Sequence, residues 1–246
     1  MFRVNVSENK SNYSQRKTQF VHIQKGQYGE NKIDWTCTCN VHSLVMAAIY
    51  AGWVFPQSDY SREPDGLANY IVNKCIEPDN WYKEKMPKLW ENWYEGDPKA
   101  YSPLEIHSVL AHYFNEYIGV TNADNFIENA SIKDIINQIY KNGIGIPTSV
   151  KWANLVGHII CLVGFECENE NKLNKWLNNE IEKCPITKII FDDPWGKYVE
   201  SVDSYDGTKS GNDCEISFET FLNCVKPNNS KLFKYAHILS KPASFV

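Results

Sequence analysis

The sequence predicts an α+β fold, in which a layer of helices packs on a mainly antiparallel sheet. Two observations lead there. Apolar residues recur at helical spacing in the first half of the chain, and short, apolar, β-branched runs of strand length fill the second half. Helices and strands are therefore segregated along the chain.

The first helix is expected over 40–51. Val41, Leu44, Val45, Ala48 and Ile49 follow the helical spacing, and Gly52 is a stop signal. A second is expected over 103–117: Ser102 is an N-cap, Pro103 takes the first turn and Glu105 completes a capping box. Its stripe is Ile106, Val109, Leu110, Tyr113 and Tyr117. A third runs from Ser131 to near Gly143, with Ile132, Ile135, Ile136, Ile139 and Tyr140 on one face. The strands then follow as "GIPTSV" (145–150), "HIICLVGF" (158–165), "TKIIFDD" (187–193) and "YAHILS" (235–240). Between the second and third of these, "ECENENKLNKWLNNEIEKC" reads as a surface helix or an insertion.

At 246 residues the chain can bury a substantial core, and no repeat or Pro/Gly-rich linker divides it. Residues 1–20 are expected to form a flexible N-terminal arm and 21–246 a single domain. With 25 basic and 30 acidic residues and no basic run, nothing points to nucleic acid or an anionic membrane. The polar start lacks the apolar run of a secretion signal, and no stretch reaches membrane-spanning length. The expectation is a soluble, cytoplasmic protein, released if at all by lysis or non-classical export. Its eight cysteines form no repeated C-x-x-C pairs, so most are read as free thiols, with Cys161 and Cys224 as buried apolar groups.

One place combines groups that can do chemistry. Cys39 stands just before the first helix, where unpaired backbone N–H groups and the aligned peptide dipoles favour a thiolate. Cys37 lies two residues further out and is served less well. A thiolate needs an acid/base partner, and His158 is the best of six histidines, because it follows Gly157 at the start of an apolar strand. A third group must orient the imidazole. Asp192 and Asp193 end another strand, and side-chain alternation allows only one of them to face the site. An oxyanion donor could come from Gln27 in "GQYGENK" or from the Cys39 amide.

These residues resemble a known family. The order Gln, Cys at a helix start, His at a strand start and an acid in "DPWG" is similar to the papain-like cysteine peptidases, and most closely to their C39-like group. "QYGENK" and "TCNVHSLVMAA" resemble that group's Gln motif and "CNVTSLAM"-type helix. "GHIICLVGF" resembles its "GHxxxxxGY"-type strand, and "IIFDDPWGKY" its "DPWG" turn. The likeness runs from Gln27 to Tyr198. It implies a papain-like fold, peptide-bond hydrolysis by Cys39, His158 and Asp193 with Gln27 as oxyanion donor, and no cofactor. It favours Asp193 over Asp192. His42 departs from the pattern, standing where the family often has Thr, and 54–100 is longer than a minimal domain needs. No transporter segment follows, so the leader-trimming role of transporter-linked members is not implied.

Other readings of these residues fit less well. Cys37, Cys39 and His42 are spaced too tightly for a recognised metal set, and no second cluster lies at a suitable distance, so no metal is expected. His107 and His112 are five apart, which does not align them for a metal; they stand as surface or core residues. The aromatic run at 81–94 fits either packing or a substrate groove. The expected substrate is a peptide, a protein, or the peptide stems or amide bonds of peptidoglycan, in a bacterium or its phage. Transglutaminase-like acyl transfer and a catalytically silent binding module are the rivals.

Overall fold

The computed structural model describes residues 1–8, 10, 13, 23–26, 29–32, 39–85, 103–151, 158–206, 208–225 and 235–243. It is a mixed helical and antiparallel-sheet fold. The elements are β1 (Phe2–Asn5), β2 (Ile23–Gly26), β3 (Gly29–Lys32), α1 (Cys39–Ala51), α2 (Glu63–Ile76), α3 (Asn80–Lys85), α4 (Pro103–Tyr117), β4 (Asp124–Glu128) and α5 (Ile132–Asn137). A π-helical turn, Gln138–Asn142, leads to β5 (Ile146–Val150), β6 (His158–Cys167), α6 (Glu170–Leu177), β7 (Ile186–Asp192), β8 (Lys197–Val199), β9 (Ser204–Asp206), β10 (Cys214–Ser217), α7 (Phe218–Val225) and β11 (Tyr235–Leu239).

Strand β6 organises the main sheet. One of its edges is shared end to end by β5 and β1; the other carries β7, and β10 lies outside β7. All ten residues of β6 are buried, which is why it reads as an unbroken apolar run rather than an alternation. Helix α1 packs on β6 and β5. Ten of its thirteen residues are buried, far more than one stripe, so it is a core helix rather than a surface one. It ends at Gly52, whose φ of 96° needs glycine. On β7 and β10 lies α7. A second ladder, β4 with β11, extends this body where β11 meets β5.

The expected helices and strands form close to the expected places. The third helix departs most. Ser131 makes a capping box with Asp134, α5 runs only to Asn137, and the chain then widens into the π-helical turn before Gly143 at φ 63°. The polar stretch after β6 is a helix, α6, capped by Asn169, which accepts the Lys172 N–H at 2.9 Å. Ser102 of the expected capping box lies outside the described residues.

The expected arm over 1–20 does not hold for Phe2–Asn5. These residues form β1, in register with Gly164–Cys167 of β6. Gly164 makes the pairing possible: a Cβ there would lie 2.1 Å from the Val4 carbonyl oxygen. Arg3 adds ion pairs to Glu166 and Glu215 at 2.6 and 2.7 Å. Of the aromatic run at 81–94, the described part is packing. Trp81 stacks on His112 with centroids 3.5 Å apart, and buried Tyr82 stacks on Tyr113. Cys39, Cys161, Cys167, Cys184, Cys214 and Cys224 are free thiols. Cys161 is buried as expected, whereas Cys224 is half-buried.

Candidate active site

Cys39 opens α1, and the contact of that helix with β6 decides what it meets. Ser43 stands one turn after Cys39, on the same face. Its hydroxyl donates to the Ile159 carbonyl at 3.0 Å, which fixes the helix beside the first residues of β6. The residue before Ile159 is His158, buried at 3% exposure. Its imidazole lies within hydrogen-bonding reach of the Cys39 thiol.

The other side of the imidazole meets Asp193. His158 Nε2 and Asp193 Oδ1 are 2.7 Å apart. The same oxygen accepts the Trp195 N–H at 2.8 Å, an Asx-type turn that the "DPWG" residues are suited to make. The Tyr205 hydroxyl donates to Oδ2 at 2.8 Å. The Asp193 N–H donates to Gly211 O at 2.9 Å. Gly211 is required at that approach, since a Cβ would stand 2.0 Å from the Asp193 carbonyl oxygen.

Burial alone would lower the affinity of His158 for a proton. The charge of Asp193 and its hydrogen bond, joined by those of Cys39, outweigh burial and push the imidazole up to about 10. His158 thus stands between a sulfur and a carboxylate that both favour the protonated ring. Such a set can move a proton from thiol to imidazole while the carboxylate holds the ring.

Asp192 turns the other way, as strand alternation requires. Its Oδ2 accepts the Tyr50 hydroxyl at 2.6 Å and its Oδ1 the Asp213 N–H at 2.7 Å. Burial pushes its carboxyl up to about 6, against the donors that favour the anion. Gln27 and Cys37 lie outside the described residues.

A family model now bears on these residues. The model of the Peptidase_C39 like family matches residues 10–223. The chain belongs to that family. The match spans Cys39, His158 and Asp193, and membership of the Peptidase_C39 like family makes peptide hydrolysis the activity in general terms. No curated protein and no solved structure matches the chain.

The expectation from sequence brought together Cys39, His158 and Asp193, and the structure does so too. It did not find Ser43, Tyr205 or Gly211. Ser43 carried a signal, one turn from Cys39 on the face that meets the sheet. Tyr205 and Gly211 carried none, because each reaches Asp193 from a different strand or loop. Among the described residues, Asp79, His112 and Glu116 bring possible ligand atoms within 4.8 Å of one another. The Lys74 ammonium ion-pairs with Glu116 and lies 3.8 Å from Asp79, so a side-chain cation already serves that cluster. His107 is a core residue, joined through His237 to Asp124.

Proposed function

We propose that the chain is a cysteine peptidase of papain-like fold, in which Cys39 is the nucleophile, His158 the acid/base and Asp193 the orienting group. The observation that carries this reading is the 2.7 Å contact between His158 Nε2 and Asp193 Oδ1, with Cys39 within reach of the same ring. Nε2 is committed to Asp193, which leaves Nδ1 for the sulfur.

The thiol proton passes to His158 Nδ1, and the sulfur attacks the carbonyl carbon of a peptide bond. Negative charge develops on the carbonyl oxygen, where the Cys39 amide and Gln27 are the proposed donors. The tetrahedral adduct collapses as imidazolium protonates the departing amine, leaving a thioester on Cys39. His158 then takes a proton from water, hydroxide attacks the thioester, and the free acid leaves as the thiol is restored. Asp193 keeps the ring oriented through both halves. The chain acts as one domain in this reading, with β1 part of its sheet, on a peptide or protein substrate.

The test is hydrolysis of an unstructured protein such as casein, followed by release of new amino termini. Cys39→Ala and His158→Ala should each remove the activity, and iodoacetamide should block it with the label on Cys39. Undiminished cleavage by Cys39→Ala would refute the reading. Intact binding of peptides without cleavage by the unaltered chain would leave a silent module instead.

A further inference from the structure

The geometry points to Tyr205 as a positioning residue for the Cys39–His158 pair, acting through Asp193; the inference rests on the catalytic reading just given. The Asp193 carboxylate is fully buried and has two oxygens with different duties. Oδ1 faces the imidazole and the Trp195 N–H. Both bonds converge on that one atom, so neither of them fixes Oδ2. The Tyr205 hydroxyl, 2.8 Å from Oδ2, anchors the second oxygen and so the tilt of the carboxylate plane. A hydrogen bond to an ionised acceptor is also among the stronger kinds.

The Tyr205 ring makes a second contact. It stands edge-on to the His158 ring, at 86° and 6.1 Å between centroids. One side chain therefore holds the carboxylate and also walls the imidazole that the carboxylate orients. Its own placement is firm. Tyr205 sits in β9 opposite Tyr198 of β8, with rings 5.7 Å apart at 66°. Tyr198 in turn donates to Asp203 Oδ1 at 2.7 Å, at the turn between the two strands. The hairpin is a short arm, braced at its tip, that carries one hydroxyl to the Oδ2 side of Asp193.

Tyr205→Phe removes the hydroxyl and keeps the ring, so the packing on His158 and Tyr198 remains. The measurement is the iodoacetamide alkylation rate of Cys39 in the full chain, read by mass spectrometry at pH 6 and pH 10. The variants are Tyr205→Phe, Asp193→Asn, the double variant and His158→Ala. At pH 6 Tyr205→Phe should slow Cys39 about tenfold, the scale of one charge-assisted hydrogen bond. At pH 10, where thiols ionise without help, the loss should be under twofold. In the Asp193→Asn background the same change should cost under twofold at either pH, because the group it serves is gone. A merely structural role would give the same loss with Asp193 or Asn, and that result overturns the inference, as does a Tyr205→Phe rate within twofold of the unaltered chain at pH 6. If His158→Ala alkylates like the unaltered chain, the thiol–imidazole reading itself fails and takes this inference with it.

Discussion

Asp192 and Asp193 are consecutive, yet their carboxylates serve opposite sides of the chain: Asp193 Oδ1 meets His158 Nε2 at 2.7 Å, and Asp192 Oδ2 meets the Tyr50 hydroxyl at 2.6 Å. Their substitutions should therefore separate cleanly. Asp193→Ala is expected to cut peptidase activity and low-pH alkylation of Cys39 by about a hundredfold, the scale of a lost acid/base arrangement. Asp192→Asn should leave both within about threefold. Equal losses in the two variants would contradict the division.

The same Asp192 carries a pH signature in stability. Its folded value of about 6 lies above the 3.8 of an ordinary aspartate. The fold thus takes up a proton between the two. The stabilisation is full below about 3.8 and is lost as pH rises through about 6. Asp192→Asn cannot titrate, so its melting temperature should rise relative to the unaltered chain as pH goes from 4 to 7, about where the ionised carboxylate burdens only the latter. A constant difference across that window would show that Asp192 does not titrate there.

His158 acts on the alkaline side. Its folded value, about 10, lies above the 6.5 of an ordinary histidine. The stabilisation it contributes is fully present below 6.5 and is lost as pH rises through about 10. Thermal melts of the unaltered chain and of His158→Gln should converge over that range. Activity should decline along the same limb, since the leaving amine takes its proton from imidazolium.

His107 carries the opposite sign. Burial, joined by the nearby His237, holds its imidazole well below 6.5. A group depressed in the fold contributes stability above its unfolded value, and that contribution is lost as pH falls. The chain His107 Nδ1 to His237 Nε2 at 2.7 Å, and His237 Nδ1 to Asp124 Oδ2 at 2.6 Å, sits in the core behind the Tyr235 ring, which stacks on His107 at 4.1 Å. The protein should lose melting temperature below about pH 6.5, and His107→Phe should flatten that slope. The variant should also cost about 1–3 kcal/mol at pH 7, because His237 loses a buried partner. An unchanged acid slope in His107→Phe would assign the lability elsewhere.

Gly211→Ala tests the backing of Asp193. The added Cβ would meet Asp193 O at 2.0 Å and Gly196 O at 2.8 Å, both backbone atoms that cannot swing aside. The expected cost is about 2 kcal/mol or more in urea unfolding, the scale of overpacking, together with loss of the rapid Cys39 reaction at pH 6. Wild-type behaviour in both assays would mean that the loop yields.

What the sequence made legible was what each short segment carries within itself. Cys39 before an apolar helix, His158 before an apolar strand and Asp193 in an Asx turn are local patterns, and local backbone preference keeps them. The choice of Asp193 over Asp192 needed the family likeness, since alternation separates the two without saying which faces inward. Tyr205, Gly211 and Tyr50 act across long sequence separations and carry no local signature. Likewise "FRVN" is too short and too polar to announce β1, whose partner lies over 160 positions away. The expected flexible arm failed at those residues because β6 offers an edge that no local signal in residues 1–20 can reveal. The length of α1 was legible, but its nearly complete burial was not, because that depends on what packs around it.

The seat of β1 on β6 has a temporal consequence. Arg3 and Glu166 are separated by 163 positions, so the pairing closes a very long loop, and contacts of that kind form late. At a synthesis rate of roughly 5–20 residues per second, β1 waits on the order of 10–30 s at the ribosome before its partner strand exists. Until β1 arrives, Gly164–Cys167 of β6 has one bare edge, flanked by apolar side chains, open to the strands of other copies. The strand made first is thus seated last, and how quickly it finds that edge governs how much of the nascent protein escapes aggregation.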